Sequence, residues 1–281
     1  MRFLSHFDPR QTMRTRHFEV MHTCDTDLYT IDLHHHDFYE IYYFISGQVE
    51  YRVEGKTFSL APGDLLLISP WEFHQPIVQP GVPYERRVLW IDRSYITQFN
   101  SGDCSLVSCF DPAISNLIRP SKPQQAVIGS LLEQMMQESA SSHFGASLYA
   151  QGLFLQLMVE INRMAKRTVH DKKPGEGDEL VSQVLSFISA HYAEKLTLQM
   201  LADTFYVSKY YLSHEFSRKV GTSIYRYVLL RRLLSARELI SGGLSPSEAC
   251  IRCGFSDYAN FYRLFKAEYG LSPRDFAAQS L

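Results

Sequence analysis

Three side chains in the first part of the chain have the types and spacing of a metal-ligand set. His34, His36 and Glu40 follow the order His-x-His-x3-Glu. Two imidazoles and a carboxylate form a donor mix that suits iron, manganese or zinc. Nearby stand groups of a different chemistry: Tyr42, Trp71, His74, Arg86 and Trp90, with Tyr43, Tyr51, Glu72, Phe73, Tyr84 and Arg87 among them. Stacking faces beside charged hydrogen-bonding groups suit a sugar or another small polar molecule. Strand alternation sends about half of such aromatics into ordinary packing instead.

A second chemistry lies near the other end. From Leu212 the chain reads Leu-x3-Phe-x4-Gly-x-Ser-x3-Tyr, and forty-nine residues on Phe261, Phe265, Gly270, Ser272 and Phe276 repeat the spacing. A repeat of this length signals a duplicated supersecondary unit. Each copy has a short apolar-periodic segment, a break, and a longer segment preceded by a capping residue, Ser208 in one and Ser256 or Asp257 in the other. That is the helix-turn-helix plan, whose second helix is shaped for a DNA major groove. Leu212 and Phe216, or Phe261, Leu264 and Phe265, occupy one face of it and must pack inward. The opposite face holds Lys209, Tyr210, Ser213 and His214 in one copy, and Tyr258, Asn260, Tyr262 and Arg263 in the other. Arg263 can bind guanine bidentately and Asn260 adenine. Arg218, Lys219 and Lys266 are better placed for phosphates.

The punctuation of this region resembles the DNA-binding domain of the AraC/XylS transcriptional regulators. The residues that carry the likeness are Ala202, Ser208, Leu212, Phe216 and Gly221, then Arg231 and Ala236, then Cys253-Gly-Phe-Ser-Asp257, Phe261, Phe265-Lys266, Gly270 and Ser272-Pro273-x2-Phe276. It covers about residues 180–278. His34-x-His36-x3-Glu40-x6-Gly47 likewise resembles the first cupin motif, and many AraC/XylS regulators carry a cupin as their effector-sensing half. A cupin enzyme adds a second-motif histidine two residues beyond the Gly of Pro-x-Gly. Here Gly63 is followed by Asp64-Leu65-Leu66, so that ligand is missing unless the loop after Pro70 folds back to supply His74. The expectation is therefore no metal, no catalytic residue and no cofactor. His34, His36, Glu40, Tyr42, Trp71, His74, Arg86 and Trp90 become effector-binding candidates at a barrel mouth. The family likeness also implies an activator that works with RNA polymerase. Two departures stand out: Tyr206 where this turn often has Gly, and Cys250 where Ala is usual, which makes a Cys250-x2-Cys253 pair.

The elements that must hold these residues are legible in outline. From Tyr29 to Asp92 short apolar runs alternate with Gly-bearing turns: Glu40–Ile45, Val49–Val53, Phe58–Leu60, Leu65–Ile68 and Val88–Ile91. Such runs predict a small barrel or jelly roll. Residues 1–25 read as an arm or an early strand. Two helical patterns follow, Gln124–Ser141 burying Val127, Ile128, Leu131, Leu132 and Met135, and Phe144–Lys166 burying Leu148, Leu153, Phe154, Leu157, Met158 and Ile161. A helical hairpin of this kind either offers a surface to a twofold partner or simply packs on the barrel. Ser223–Ser241 reads as one long helix joining the two DNA readers, ended by Gly242-Gly243.

The expected architecture is a two-domain α+β chain. A cupin-like β-barrel (jelly roll) with a helical hairpin occupies residues 1–167, and a polar Pro/Gly linker occupies 168–179. An all-α tandem helix-turn-helix domain follows over 180–281. Composition agrees: 281 residues, 45% hydrophobic and 21% charged, suit two globular domains. The net charge of -2 argues against nucleic acid until the chain is divided. From Leu180 onward 12 Lys and Arg face 8 Asp and Glu, placing the positive charge where DNA binding needs it. No apolar run is long enough to span a membrane, and the first residues lack the apolar core of a signal peptide. Five Cys without regular spacing fit a reducing cytoplasm. Three classes remain: a ligand-responsive, dimeric regulator of double-stranded DNA; a metal cupin enzyme fused to a DNA reader; and a regulator whose first domain meets only proteins.

Overall fold

The computed structural model describes residues 11–26, 31–102, 104–168 and 179–280. The chain divides into two compact units, one drawn from residues 1–174 and the other built on residues 175–281. The linker expected at 168–179 falls almost wholly outside the described residues.

Among its described residues the first unit has eight strands: β1 Phe18–Asp25, β2 Tyr39–Ser46, β3 Val49–Val53, β4 Lys56–Ser59, β5 Leu65–Ile68, β6 His74–Val78, β7 Tyr84–Ile91 and β8 Leu117–Ile118. They form a five-stranded sheet, ordered β1-β7-β2-β5-β8, and a three-stranded sheet, β4-β3-β6. Successive side chains on a strand face opposite ways, and this alternation builds two separate cores. Ile41, Leu65, Leu67, Leu89 and Ile91 join one apolar cluster with helix residues Ile128, Leu132, Phe154 and Leu157. Tyr42, Phe44, Leu66, Ile68 and Val88 join another with Val49, Tyr51, Val53 and Val78 from the smaller sheet. The result is a jelly-roll sandwich with helices on its outer face.

All five strands expected from the apolar runs are present. β6 was hidden by Pro76 at its centre, where a proline removes a ladder donor. β6 lies at the edge of its sheet, where that loss is tolerated. The early strand is β1, which pairs antiparallel with β7 from Phe18↔Ile91 to Asp25↔Tyr84.

Helices α1 (Arg93–Thr97), α2 (Lys122–Ser139) and α3 (Ala146–Thr168) follow. In α2, Ile128, Leu131, Leu132 and Met135 are buried at i, i+3, i+4, i+7. Two assignments to this core are corrected: Val127 is 44% exposed and Leu148 is 70% exposed. Val127 sits one residue off the inward stripe of α2, and Leu148 falls between Ala146 and Ala150 on the outward face of α3.

The second unit is helical: α4 Glu179–His191, α5 Leu198–Thr204, α6 Lys209–Val220, α7 Ile224–Ser241, α8 Pro246–Arg252, α9 Tyr258–Tyr269 and α10 Pro273–Ser280. The joining helix α7 buries nine residues, among them Leu229, Leu233, Ala236 and Ile240. Those four form a cluster with Ala249, Cys250, Cys253, Phe255, Phe261 and Phe265. Both thiols of the Cys250-x2-Cys253 pair thus sit in an apolar core. Each such buried aliphatic or aromatic side chain contributes about 1.5–3 kcal/mol. No described helix is long and apolar enough to cross a membrane.

Candidate DNA interface and effector cavity

The two DNA-facing helices are built alike, down to their ends. Ser208 caps α6 by accepting from the Tyr211 amide at 3.2 Å, and Asp257 caps α9 by accepting from the Ala259 and Asn260 amides. Of the two candidates for the second cap, Asp257 is the one used. Each cap is worth about 1 kcal/mol. Gly221 and Gly270 end the helices at φ +83° and +76°. The inward residues Leu212, Phe216, Phe261 and Phe265 are each fully buried.

This leaves the predicted outer faces open. Lys209, Tyr210, His214 and Arg218 are exposed on α6, and Tyr258, Tyr262, Arg263 and Lys266 on α9; Ser213 and Asn260 are half-buried. Tyr210 and His214 stack one turn apart, and Glu215 holds Arg218 at 2.7 Å. The Arg263 guanidinium donates to Asn260 Oδ1 at 3.3 Å. This bond presents the two candidate base readers together from the first turns of α9. The turns preceding the two helices differ in length: α5 and α8 begin 48 residues apart, at Leu198 and Pro246, while α6 and α9 begin 49 apart, at Lys209 and Tyr258. In the first turn Tyr206 takes φ +55° with its ring 95% exposed, so it does not dock on the core.

In the first unit the inner faces of β1, β2 and β7 enclose a cavity of about 740 Å³. Register explains its lining. Glu40 stands opposite Trp90, and Tyr42 opposite Val88, while Glu19, Met21 and Thr23 stand opposite Trp90, Val88 and Arg86. These alternate residues line the cavity together with His34, Tyr51 and Tyr84. Five of the eight effector candidates are thus in its wall: His34, Glu40, Tyr42, Arg86 and Trp90. The β1 contribution was missed, although Glu19-x-Met21-x-Thr23 has the period of two that could have shown it.

Three candidates lie elsewhere. His36 and His74 are buried behind the wall. Trp71 lines a separate depression with Tyr39, Arg93 and Phe110, so its ring does not reach a ligand in the main cavity. Arg87, one residue out of phase, donates to the Gly129 carbonyl at 2.8 Å and pairs with Glu133 on the helical side.

Burial sets the protonation of the lining. It pushes the Tyr84 phenol up to about 12 and those of Tyr42 and Tyr51 well above their usual range, so all three are neutral hydroxyls. Tyr42 donates to Tyr84. Arg86 pairs with Asp25 at 2.6 Å and lies 4.3 Å from the Tyr84 ring centre. Three polar atoms of the cavity residues, Trp90 Nε1, Thr23 Oγ1 and Gln11 Oε1, are buried without a hydrogen-bond partner among the described residues.

The turn before β6 meets the condition under which His74 could stand in for the missing second-motif histidine. His34 and His74 bridge through their backbones, with N–O distances of 3.1 and 2.9 Å. The Trp71 amide donates to the His36 carbonyl at 2.8 Å, and the turn passes through Trp71 at φ +72°. That is backbone a glycine usually supplies. The chain after Pro70 does fold back, and it carries His74 to 4.8 Å from the His34 ring's neighbour, measured centre to centre against His36. Burial drives His34 down to about 4 and, with the nearby imidazoles of His34 and His36, drives His74 well below its usual value. Both are neutral near pH 7.

Comparisons with known proteins agree with this division. Residues 17–158 match the family described as the AraC-like ligand binding domain, and residues 201–279 match a helix-turn-helix domain family. The transcriptional activator RhaS of Salmonella typhimurium is 28% identical over 260 residues, covering 86% of both chains. The uncharacterized regulator YbfI of Bacillus subtilis is 26% identical over 233 residues, covering 81% of this chain and 80% of its own. Among solved structures, fatty-acid-bound ToxT of Vibrio cholerae aligns at 12% identity and a TM-score of 0.41, over 95% of this chain and 97% of that one. With its ligand-binding half matched over residues 17–158 and its DNA-reading half over 201–279, the chain belongs to the AraC family of DNA-binding transcriptional regulators.

Proposed function

We propose that this regulator is an activator whose first domain binds a small, neutral polar effector such as a sugar. In this reading, it acts as a homodimer in the cytoplasm, reads paired operator sites through α6 and α9, and engages RNA polymerase. Domain boundaries follow the sequence: residues 1–167 sense and dimerise, 168–179 link, and 180–281 read DNA. The observation that carries the effector reading is the set of unpartnered polar atoms on the cavity residues, Trp90 Nε1, Thr23 Oγ1 and Gln11 Oε1. Buried polar atoms are normally paired, and a polyhydroxylated ligand offers both acceptors and donors to pair them. Neutral phenols and the aromatic face of Trp90 suit the same chemistry. Support for the dimer comes from Phe144, Leu148 and Tyr149, apolar residues at least half exposed around the start of α3.

The test is thermal stabilisation of the intact chain across a panel of sugars and polyols. A ligand that binds only the folded state raises stability by RT ln(1 + [L]/Kd). A stabilising sugar should lose about ten- to a hundredfold in affinity with Trp90→Ala or Tyr42→Phe, while operator binding without ligand stays unchanged. If no sugar stabilises the chain and an aromatic or fatty acid does, the neutral-polar assignment fails. If no small molecule does, a first domain that meets only proteins becomes the better account.

A further inference from the structure

Behind the cavity wall two buried histidines, His36 and His74, converge on Glu40 of the wall itself. One donor atom each from His36, Glu40 and His74 lies within 4.8 Å of the others, and all three residues are at most 4% exposed.

The hydrogen bonds fix which nitrogens face inward. His74 Nδ1 lies 2.8 Å from the Glu72 carbonyl oxygen, and His36 Nδ1 lies 2.9 Å from the Phe38 carbonyl oxygen. A carbonyl only accepts, so each Nδ1 must carry the proton, and a neutral imidazole then has a bare lone pair on Nε2. For His74 that lone pair is buried with no partner among the described residues. For His36 it points at Glu40 Oε2 from 2.8 Å, so a lone pair meets a carboxylate. Either a proton lies between these two groups, or a cation belongs among the three. A proton there would satisfy that one contact and leave His74 Nε2 empty. A cation satisfies all three donors together. A backbone carbonyl holding Nδ1, with Nε2 presented inward, is also the arrangement that orients metal-ligating histidines.

We propose that His36, Glu40 and His74 form a binding site for one divalent transition-metal ion per chain. Two imidazole nitrogens and one carboxylate oxygen select zinc, iron, manganese or cobalt over calcium and magnesium, which take oxygen donors. Glu40 also lines the effector cavity, so the ion adds positive charge to its wall. The site stands apart from the sugar reading, since it rests on other atoms and its test uses no effector.

The experiment titrates the intact, chelator-stripped chain with Co2+ and follows the visible d–d absorption, with Zn2+ competition and metal content as second readouts. Wild type should bind one ion per chain, and zinc should bleach the cobalt bands. His74→Gln and Glu40→Gln should each weaken binding at least about a hundredfold, since loss of a supporting residue alone costs 10–100-fold. His22→Gln, which alters an exposed histidine paired with Glu85 at 2.8 Å, should bind like wild type. Circular dichroism and melting without metal identify a variant that has failed to fold, and Glu40→Gln, nearly isosteric, carries the comparison if His74→Gln does. Absence of bands up to millimolar Co2+ overturns the site, as does equal binding by wild type and a folded His74→Gln or Glu40→Gln.

Discussion

At the level of single residues, the DNA interface separates groups that read bases from groups that hold phosphates. Arg263 and Asn260 are bonded to each other at 3.3 Å, so each limits the other's freedom before DNA arrives. Replacing Arg263 by Ala should cost about 1–3 kcal/mol and relax preference at one base position. Arg218 lies in the last turn of α6, tied to Glu215. Its replacement by Ala should weaken all sequences alike and reduce the slope of log affinity against log salt by about one. Binding to a randomised operator library at several salt concentrations checks both. An Arg263→Ala protein with wild-type selectivity would place base readout on another face. In the cavity, by contrast, a residue's type said less than its phase. Arg86 and Arg87 look equivalent in sequence, yet one lines the cavity and the other reaches Gly129 and Glu133 on α2.

Among the elements, the two turns before α6 and α9 solve one problem in different ways. Both need a left-handed residue, and the second uses Gly254 at φ +79°. A Cβ there would sit 2.1 Å from the Ala193 carbonyl oxygen. Gly254→Ala therefore combines a backbone clash with strained φ and should destabilise the second unit by more than about 3 kcal/mol. The first turn places Tyr206 at φ +55° with its ring in solvent. Left-handed backbone costs a side-chain-bearing residue about 1–2 kcal/mol, and glycine returns about 0.5–1 kcal/mol of that through its freer unfolded chain. Tyr206→Gly should be neutral to about 1 kcal/mol stabilising. Urea melts of the intact chain measure both, and a marked loss with Tyr206→Gly would mean that the exposed ring has a stabilising partner. The helical half was legible because capping residues and glycines punctuate it at repeated spacings. The sandwich was legible where strands alternate cleanly, as in β3, or run apolar throughout, as in β5. It was hidden where Pro76 interrupts β6, and left between arm and strand where β1 mixes Glu19 and Thr23 with apolar neighbours because its inner face meets a cavity. His74 could be named in the sequence only conditionally, because the turn that brings it back is made by Trp71, not by glycine.

For the whole molecule, the question is whether its two units act singly or only together. The second unit has a core of its own, in which α7 packs with α8 and α9 through Leu229, Leu233, Ala236, Cys250, Phe261 and Phe265. A fragment of residues 178–281 should therefore fold alone and melt cooperatively. It carries both reading helices and an excess of Lys and Arg over Asp and Glu, so it should bind a single operator half-site as a monomer. On a two-site operator the intact chain should bind more tightly by about a hundredfold or more, because dimerisation makes the second binding event intramolecular. If that dimer forms through the exposed start of α3, then Leu148→Asp combined with Tyr149→Ser should reduce the intact chain to the fragment's affinity. Its affinity for one half-site should stay unchanged and the monomer should stay folded, since both side chains are more than half exposed. Sedimentation of the same proteins reads the assembly directly. Equal affinity of fragment and intact chain for the two-site operator would remove the case for a dimer. A double variant that stays dimeric and binds at full strength would move the dimer surface off α3 and leave its exposed apolar side chains without a role.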